Sequence, residues 1–122
     1  MHIIIGGAYA GKREHAAGSY PEAEWVKAGS DNLSGSAVTI VDNCEMLLRE
    51  GRSSEEVLSW LHTLAERTHL VVILEEMGNG IVPAESSDRR LRDENGRLAR
   101  KLVAAAETVD YAWHGLVDRR KP

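Results

Sequence analysis

At 122 residues, with 43% hydrophobic and 28% charged side chains, the sequence has the balance of one ordinary globular domain. The net charge of −4 argues against broad nucleic-acid binding, and no apolar run approaches the roughly 18 residues of a membrane span. A single cysteine, Cys44, excludes an internal disulfide and, with an apolar start too short for a signal peptide, predicts a soluble cytoplasmic protein.

His2 to Ile5 is a β-branched run stopped by Gly6 and Gly7, which predicts a buried strand and a tight turn. Lys12 to Gly18 reads as a short helix. Ser19 to Ser36 holds Pro21, Gly29, Gly35 and several small polar residues, and is expected as loop with a helical turn around Glu22 to Lys27. Ala37 to Val41 is a second strand ending at Asp42. Cys44 to Glu50 is helical, with Gly51 as its stop. Ser53-Ser54-Glu55-Glu56 is a capping box, and Val57, Leu58, Leu61, Leu64 and Ala65 follow at helical spacing. The unbroken apolar run Leu70 to Leu74 predicts a strand covered on both faces. A loop from Met77 to Pro83 leads into a long helix, Glu85 to Glu107, with Leu91, Leu98, Leu102 and Ala105 on one stripe. Thr108 to His114 is a last strand, and Asp118 to Pro122 a polar tail. Strands alternating with helices predict an α/β fold: a trimmed, mostly parallel sheet with helices on both faces, in one domain over residues 1–122.

Three places can carry chemistry. Gly6-Gly7-Ala8-Tyr9-Ala10-Gly11-Lys12, between a strand and a helix, has the form of a phosphate-binding P-loop. Glycines let backbone amides converge on phosphate oxygens, the helix offers its positive end, and Lys12 adds a full charge. The bland reading is a glycine-rich turn with a surface lysine. At the next position, where such loops carry a magnesium-binding hydroxyl, this chain has Arg13. Arginine cannot ligate a cation, so any Mg2+ site is weakened. Arg13 either touches phosphate or lies on the helix surface.

Asp42 ends the second strand, on the edge where open α/β sheets bind ligands. It is a candidate for metal or nucleotide, or else a helix cap. Glu75 and Glu76 end the third long strand with the same ambiguity. The loop from Glu76, with Gly80 and Pro83, and the helix residues Arg89, Arg92 and Asp93 form the third place. Six basic residues from Arg89 to Lys101 crowd there, either to hold a small anion or as a solvated face. Gly96, within that helix at a cost of roughly 1 kcal/mol, implies a close backbone approach.

Together these residues resemble the bifunctional adenosylcobinamide kinase/adenosylcobinamide-phosphate guanylyltransferases of cobalamin biosynthesis. Gly6-Gly7-Ala8-x-x-Gly11-Lys12 is similar to that family's GGARSGKS loop. Glu76-Met77-Gly78-Asn79-Gly80-Ile81-Val82-Pro83, then Arg89-Arg90-Leu91-Arg92-Asp93, then Gly96-Arg97, resemble its E-V-G-x-G-I-V-P, R-x-F-R-D and G-R-x-N-Q at the same distances. The resemblance covers about half the chain. It implies a P-loop NTPase-like fold, ATP or GTP with Mg2+, a corrinoid substrate and a homo-oligomer such as a trimer. It also implies phosphorylation of the aminopropanol hydroxyl and GMP transfer through a histidine. Asp42 falls where the family has a nucleotide-contacting Glu.

The chain departs from that pattern at Arg13, and at Ala99 and Arg100 after Gly96-Arg97. Gly18 to Ser36 is too short for both the family's second strand and the segment bearing the guanylylated histidine, and it contains no histidine. His2, His15, His62, His69 and His114 lie elsewhere. Trp25 reads as a remnant of that segment. Phosphoryl transfer, with Lys12 and Asp42 as catalytic residues and Asp42 and Glu75 for the metal, is therefore expected ahead of guanylyl transfer. The alternative is a non-catalytic nucleotide or corrinoid binder that works with a partner protein.

Overall fold

The computed structural model describes residues 1–30, 33–76 and 86–122 and, of these, every side chain but those of residues 86 and 87. In chain order the elements are β1 (His2–Gly6), α1 (Lys12–Ser19), β2 (Glu24–Lys27), β3 (Val38–Asp42), α2 (Glu45–Arg49), α3 (Ser54–Ala65), β4 (His69–Glu75), α4 (Ser86–Ala105), β5 (Thr108–Trp113) and β6 (Leu116–Lys121). They build one sheet in the order β2-β3-β4-β1-β5-β6. Every neighbouring pair is parallel except β5 and β6.

Alternation along the strands divides the core. Ile3, Val41, Leu70, Val72 and Leu74 pack against Leu47 and Leu48 of α2, Leu61 and Leu64 of α3, and Leu98 and Leu102 of α4. Ile4, Ile40, Val71 and Ile73 point the other way, toward Ala16 of α1 and Tyr20. Leu70 to Leu74 are each at most 1% exposed, so β4 is covered on both faces as its unbroken apolar run required. From β1 the chain runs outward to β2 and β3. It then returns through β4 and crosses beyond β1 to β5. With right-handed crossovers, that reversal of direction puts α1 on one face and α2 to α4 on the other. The crevice of such a sheet opens beyond the strand ends where the direction reverses, which is here the end of β1.

The capping box of α3 forms as expected. Ser53 Oγ accepts from the Glu56 amide at 3.2 Å, and Glu56 Oε1 accepts from the Ser53 amide at 3.3 Å. Four expectations need correction. Residues 24–27 are an edge strand, not a helical turn. Only Val26 of that strand is buried, so pairing with β3 decides its state where local pattern is nearly silent. The polar tail is strand β6. His114 (φ 48°) and Gly115 (φ 78°) give the two-residue, positive-φ turn that joins twisted antiparallel strands. Lys121 Nζ then closes the end of α4 by donating to Val103 O at 2.8 Å and Ala106 O at 3.0 Å. The α4 stripe runs from Leu91 through Leu98 and Leu102 to Ala106, while Ala105 is exposed. Finally, among the described residues a Cβ on Gly96 would meet only the end of the Arg100 side chain, at 3.3 Å, so no described backbone approaches closely there.

Candidate functional site

The glycine loop is shaped by close packing at its start and reversed dihedrals further on. A Cβ on Gly6 would lie 2.3 Å from Ala112 O of β5, so only glycine lets the chain leave the sheet there. Tyr9 (φ 59°) and Gly11 (φ 93°) turn the backbone back. Gly11 is the N-cap of α1, and no side chain caps that helix. The first-turn amides and the positive end of the helix dipole are thus left for an anion. Lys12 Nζ donates to Gly7 O across the loop. The β5–β6 turn braces the far side, where the Gly115 amide donates to Ala10 O at 3.1 Å.

A cavity of about 370 Å³ opens on this loop, lined by Ala8 to Glu14 together with Asp42, Glu45, Ile73 and Glu75. Lys12, Arg13, Asp42 and Glu75, which the sequence nominated separately, therefore share one site. Gly6 and Gly7 lead into the cavity without lining it. Asp42 Oδ2 accepts from Arg13 Nη1 at 2.6 Å, and its Oδ1 accepts from the Asn43 amide at 2.8 Å. Arg13 also lies over the Trp25 ring, 5.1 Å from its centroid. Arg13 is thus held between an aromatic face and a carboxylate. Asp42 does not cap α2, whose N-cap is Cys44 with no side-chain bond. The Cys44 thiol is buried and pushed up to about 12, chiefly by desolvation, so it is chemically quiet.

Sequence reasoning missed Glu45, the first residue of α2. Its Oε2 is buried and has no hydrogen-bond partner among the described residues. Burial raises the carboxyl above its ordinary pKa. The neighbouring charges of Glu75 and Asp42 raise it further, while a backbone hydrogen bond and Lys12 oppose the shift. A carboxylate oxygen with no proton donor, beside two more carboxylates, is a group that a cation would satisfy. Asp42, Glu45 and Glu75 supply only oxygen, the donor that Mg2+ selects, but their oxygens are not drawn together as one ligand set, so they match the ion in donor type alone. The available signal was an acidic residue in the first turn of a helix that follows a strand-end Asp.

The other nominated residues that the structure describes do not converge on this cavity. Glu76 accepts from Tyr111 Oη and its amide donates to Gly6 O at 2.8 Å, so it braces the strand ends. Arg92 and Asp93 line a different cavity of about 260 Å³ with Gly96, Arg97 and Arg100. Arg89 is exposed on α4. Gly80 and Pro83, with the loop from Met77, lie outside the described residues. Arg90, though exposed, is anchored: it donates to Leu48 O, Gly51 O and Arg52 O at 3.0, 3.3 and 3.2 Å and closes α2. Asn95 Nδ2 donates to Glu75 O at 2.9 Å and ties α4 to the end of β4. His114 is exposed in the turn that braces the loop, and His62 is exposed on α3. Among the described residues no helix is long and apolar enough to cross a membrane.

Residues 24–119 match the family described as Cobinamide kinase / cobinamide phosphate guanyltransferase. The match begins after the glycine loop. No curated protein matches the chain.

Proposed function

The chain belongs to the cobinamide kinase / cobinamide phosphate guanyltransferase family, and from that membership we propose that its working half is the kinase. The reaction is transfer of the γ-phosphoryl group of ATP or GTP to the aminopropanol hydroxyl of a corrinoid. One observation carries this reading: Lys12 and the uncapped start of α1 face the same cavity as Asp42, Glu45 and Glu75. Backbone amides and Lys12 hold the triphosphate, and Lys12 moves from Gly7 O to phosphate oxygen. The substrate oxygen attacks the γ-phosphorus, the bond from that phosphorus to the bridging oxygen breaks, and the diphosphate leaves. Asp42 or Glu75 takes the hydroxyl proton. Asp42, Glu45 and Glu75 would hold Mg2+, which neutralises charge on the phosphate oxygens when bound. The test is phosphorylation of cobinamide with ATP and with GTP as donor. Triphosphate binding without turnover would favour the second reading, a binder that completes a partner. The Arg13–Asp42 ion pair, which occupies a catalytic candidate, is the observation behind that alternative.

We read the protein as a cytoplasmic homo-oligomer, a trimer by family analogy. Trp113 and Leu116, at 62% and 68% exposure on the edge hairpin, supply apolar surface for the contact.

Two outcomes are expected at this site. Arg13→Ser restores the loop hydroxyl and frees Asp42. Triphosphate affinity should then gain a magnesium dependence of roughly tenfold or more, about one charge-assisted contact. An unchanged magnesium response in calorimetry would mean that the loop shape itself excludes the ion. Incubation with radiolabelled GTP should leave no acid-labile, base-stable label. A phosphoramidate needs a histidine within reach of the α-phosphorus, and small misplacements cost orders of magnitude in rate. His114, next to the contact between Gly115 and Ala10, is the residue to replace if label appears.

A further inference from the structure

On the α1 face of the sheet, away from the phosphate cavity, lies a cluster the proposed reaction does not use. Asp110 of β5 is 0% exposed and His2 of β1 is 1% exposed, while the His15 side chain on α1 is 22% exposed. His2 Nε2 and His15 Nε2 each sit 2.8 Å from Asp110 Oδ2. The three ligand-type atoms lie within 4.8 Å of one another. The two imidazole rings stand at 83°, so their nitrogens approach the carboxylate oxygen from different directions. We propose that His2, His15 and Asp110 form a binding site for one zinc-type divalent cation, which locks α1 onto β1 and β5.

Two neutral imidazoles and a carboxylate are a donor set suited to zinc, which binds such groups at about 2.0–2.2 Å. A tetrahedral ion at those bond lengths spaces its ligands roughly 3.3–3.5 Å apart. The nitrogens need to draw back from Oδ2 by only about half an ångström. His15 can provide that movement, because its side chain is partly exposed. The same opening admits water as the fourth ligand.

The surroundings already hold the ligands as metal sites require. Tyr20 Oη lies 2.7 Å from His2 Nδ1, and His69 Nε2 lies 3.4 Å from Tyr20 Oη. This chain can run in either sense. Without metal, ionised Asp110 only accepts, so His2 donates from Nε2 and Tyr20 donates to His2 Nδ1. With metal, His2 carries its proton on Nδ1 and donates it to Tyr20, leaving Nε2 for the ion. Asp110 is oriented by Arg119, whose Nε donates to Oδ1 at 2.8 Å. Arg119 Nη2 also donates to Oδ2, the oxygen shared by the histidines, at 3.1 Å; an ion on Oδ2 would displace that longer contact, while the shorter Nε bond stays on Oδ1. Partners of this kind on ligating residues typically change metal affinity 10–100-fold.

The experiment strips the protein with chelator and titrates it with Co2+ and Zn2+ salts. One equivalent of Co2+ should produce the strong visible bands of four-coordinate cobalt, and Zn2+ should abolish them. Zn2+ should also raise the thermal midpoint. His15→Ala should lose both responses, and Tyr20→Phe should weaken binding at least tenfold. His15 is one of three side chains that hold Asp110, so this variant keeps the His2 and Arg119 contacts; its circular dichroism is recorded to confirm that it folds. Asp42→Asn, in the other carboxylate site, should leave the cobalt spectrum unchanged. Absence of the bands, or bands that persist in His15→Ala or vanish in Asp42→Asn, would overturn the proposal.

Discussion

Lys12→Ala is expected to weaken triphosphate binding roughly ten- to hundredfold, the value of one charge-assisted hydrogen bond of about 1.5–3 kcal/mol. It should lower phosphoryl transfer by more, because charge on the γ-phosphoryl oxygens is held most tightly during transfer. The structure makes this a clean experiment. The Lys12 ammonium donates to one loop carbonyl, Gly7 O, and its side chain belongs to neither core cluster. Stability should therefore change little, and loss of affinity would report the phosphate contact. Titration of ATP and GTP by calorimetry, with the thermal midpoint as control, gives the answer. Equal affinity in the two proteins would remove the glycine loop from the mechanism.

What the sequence displayed and what it concealed follow from range. Leu70 to Leu74 declared a central strand because five adjacent buried positions leave one element that fits. Ser53 and Glu56 declared the start of α3 because both capping bonds span three residues. The hairpin was less visible: Val117 and Leu116 are exposed, so β6 lacks an apolar stripe, and its marker was the pair His114-Gly115 at positive φ. Glycine in the second place of a two-residue turn is a readable sign that went unused. β2 had no such marker, since a four-residue edge strand with one buried side chain is fixed by its neighbour.

The candidate site divides the same way. Gly6 to Lys12 is contiguous, so its spacing could be read directly. Glu45 gains meaning only from the direction of α2, which turns its carboxylate toward the Lys12 cavity. The reading of α4 as a ligand-binding helix mixed three fates. Arg90 closes α2, Glu94 accepts from the Ser54 amide at 2.7 Å and caps α3, and Arg92 and Asp93 border a separate cavity. A basic run cannot announce which of its members are anchors, because the carbonyls they meet lie some forty positions away.

The largest stability effect is expected at Asp110, the charged residue inside the otherwise apolar run Val109 to Ala112. Burial alone would raise its carboxyl pKa. Donors from Arg119, His15 and His2 outweigh that and hold the group well below the ordinary carboxylate range. Asp110→Ala removes the acceptor for four N–H groups: His2 Nε2, His15 Nε2, Arg119 Nε and Arg119 Nη2. Arg119 and His15 can turn toward water, with side chains 56% and 22% exposed, but His2 cannot. Breaking a buried charged network from one side costs about 3–5 kcal/mol. That is a large part of the net stability of a domain, about 5–15 kcal/mol. Urea denaturation in chelator should therefore show a much lower midpoint, or no folded baseline at all. Arg119→Ala is the matched comparison. Its guanidinium is more than half exposed, so its loss should cost about 1 kcal/mol or less. If the two variants cost the same, solvent reaches the cluster and Asp110 is not the anchor that joins β1, α1 and β6.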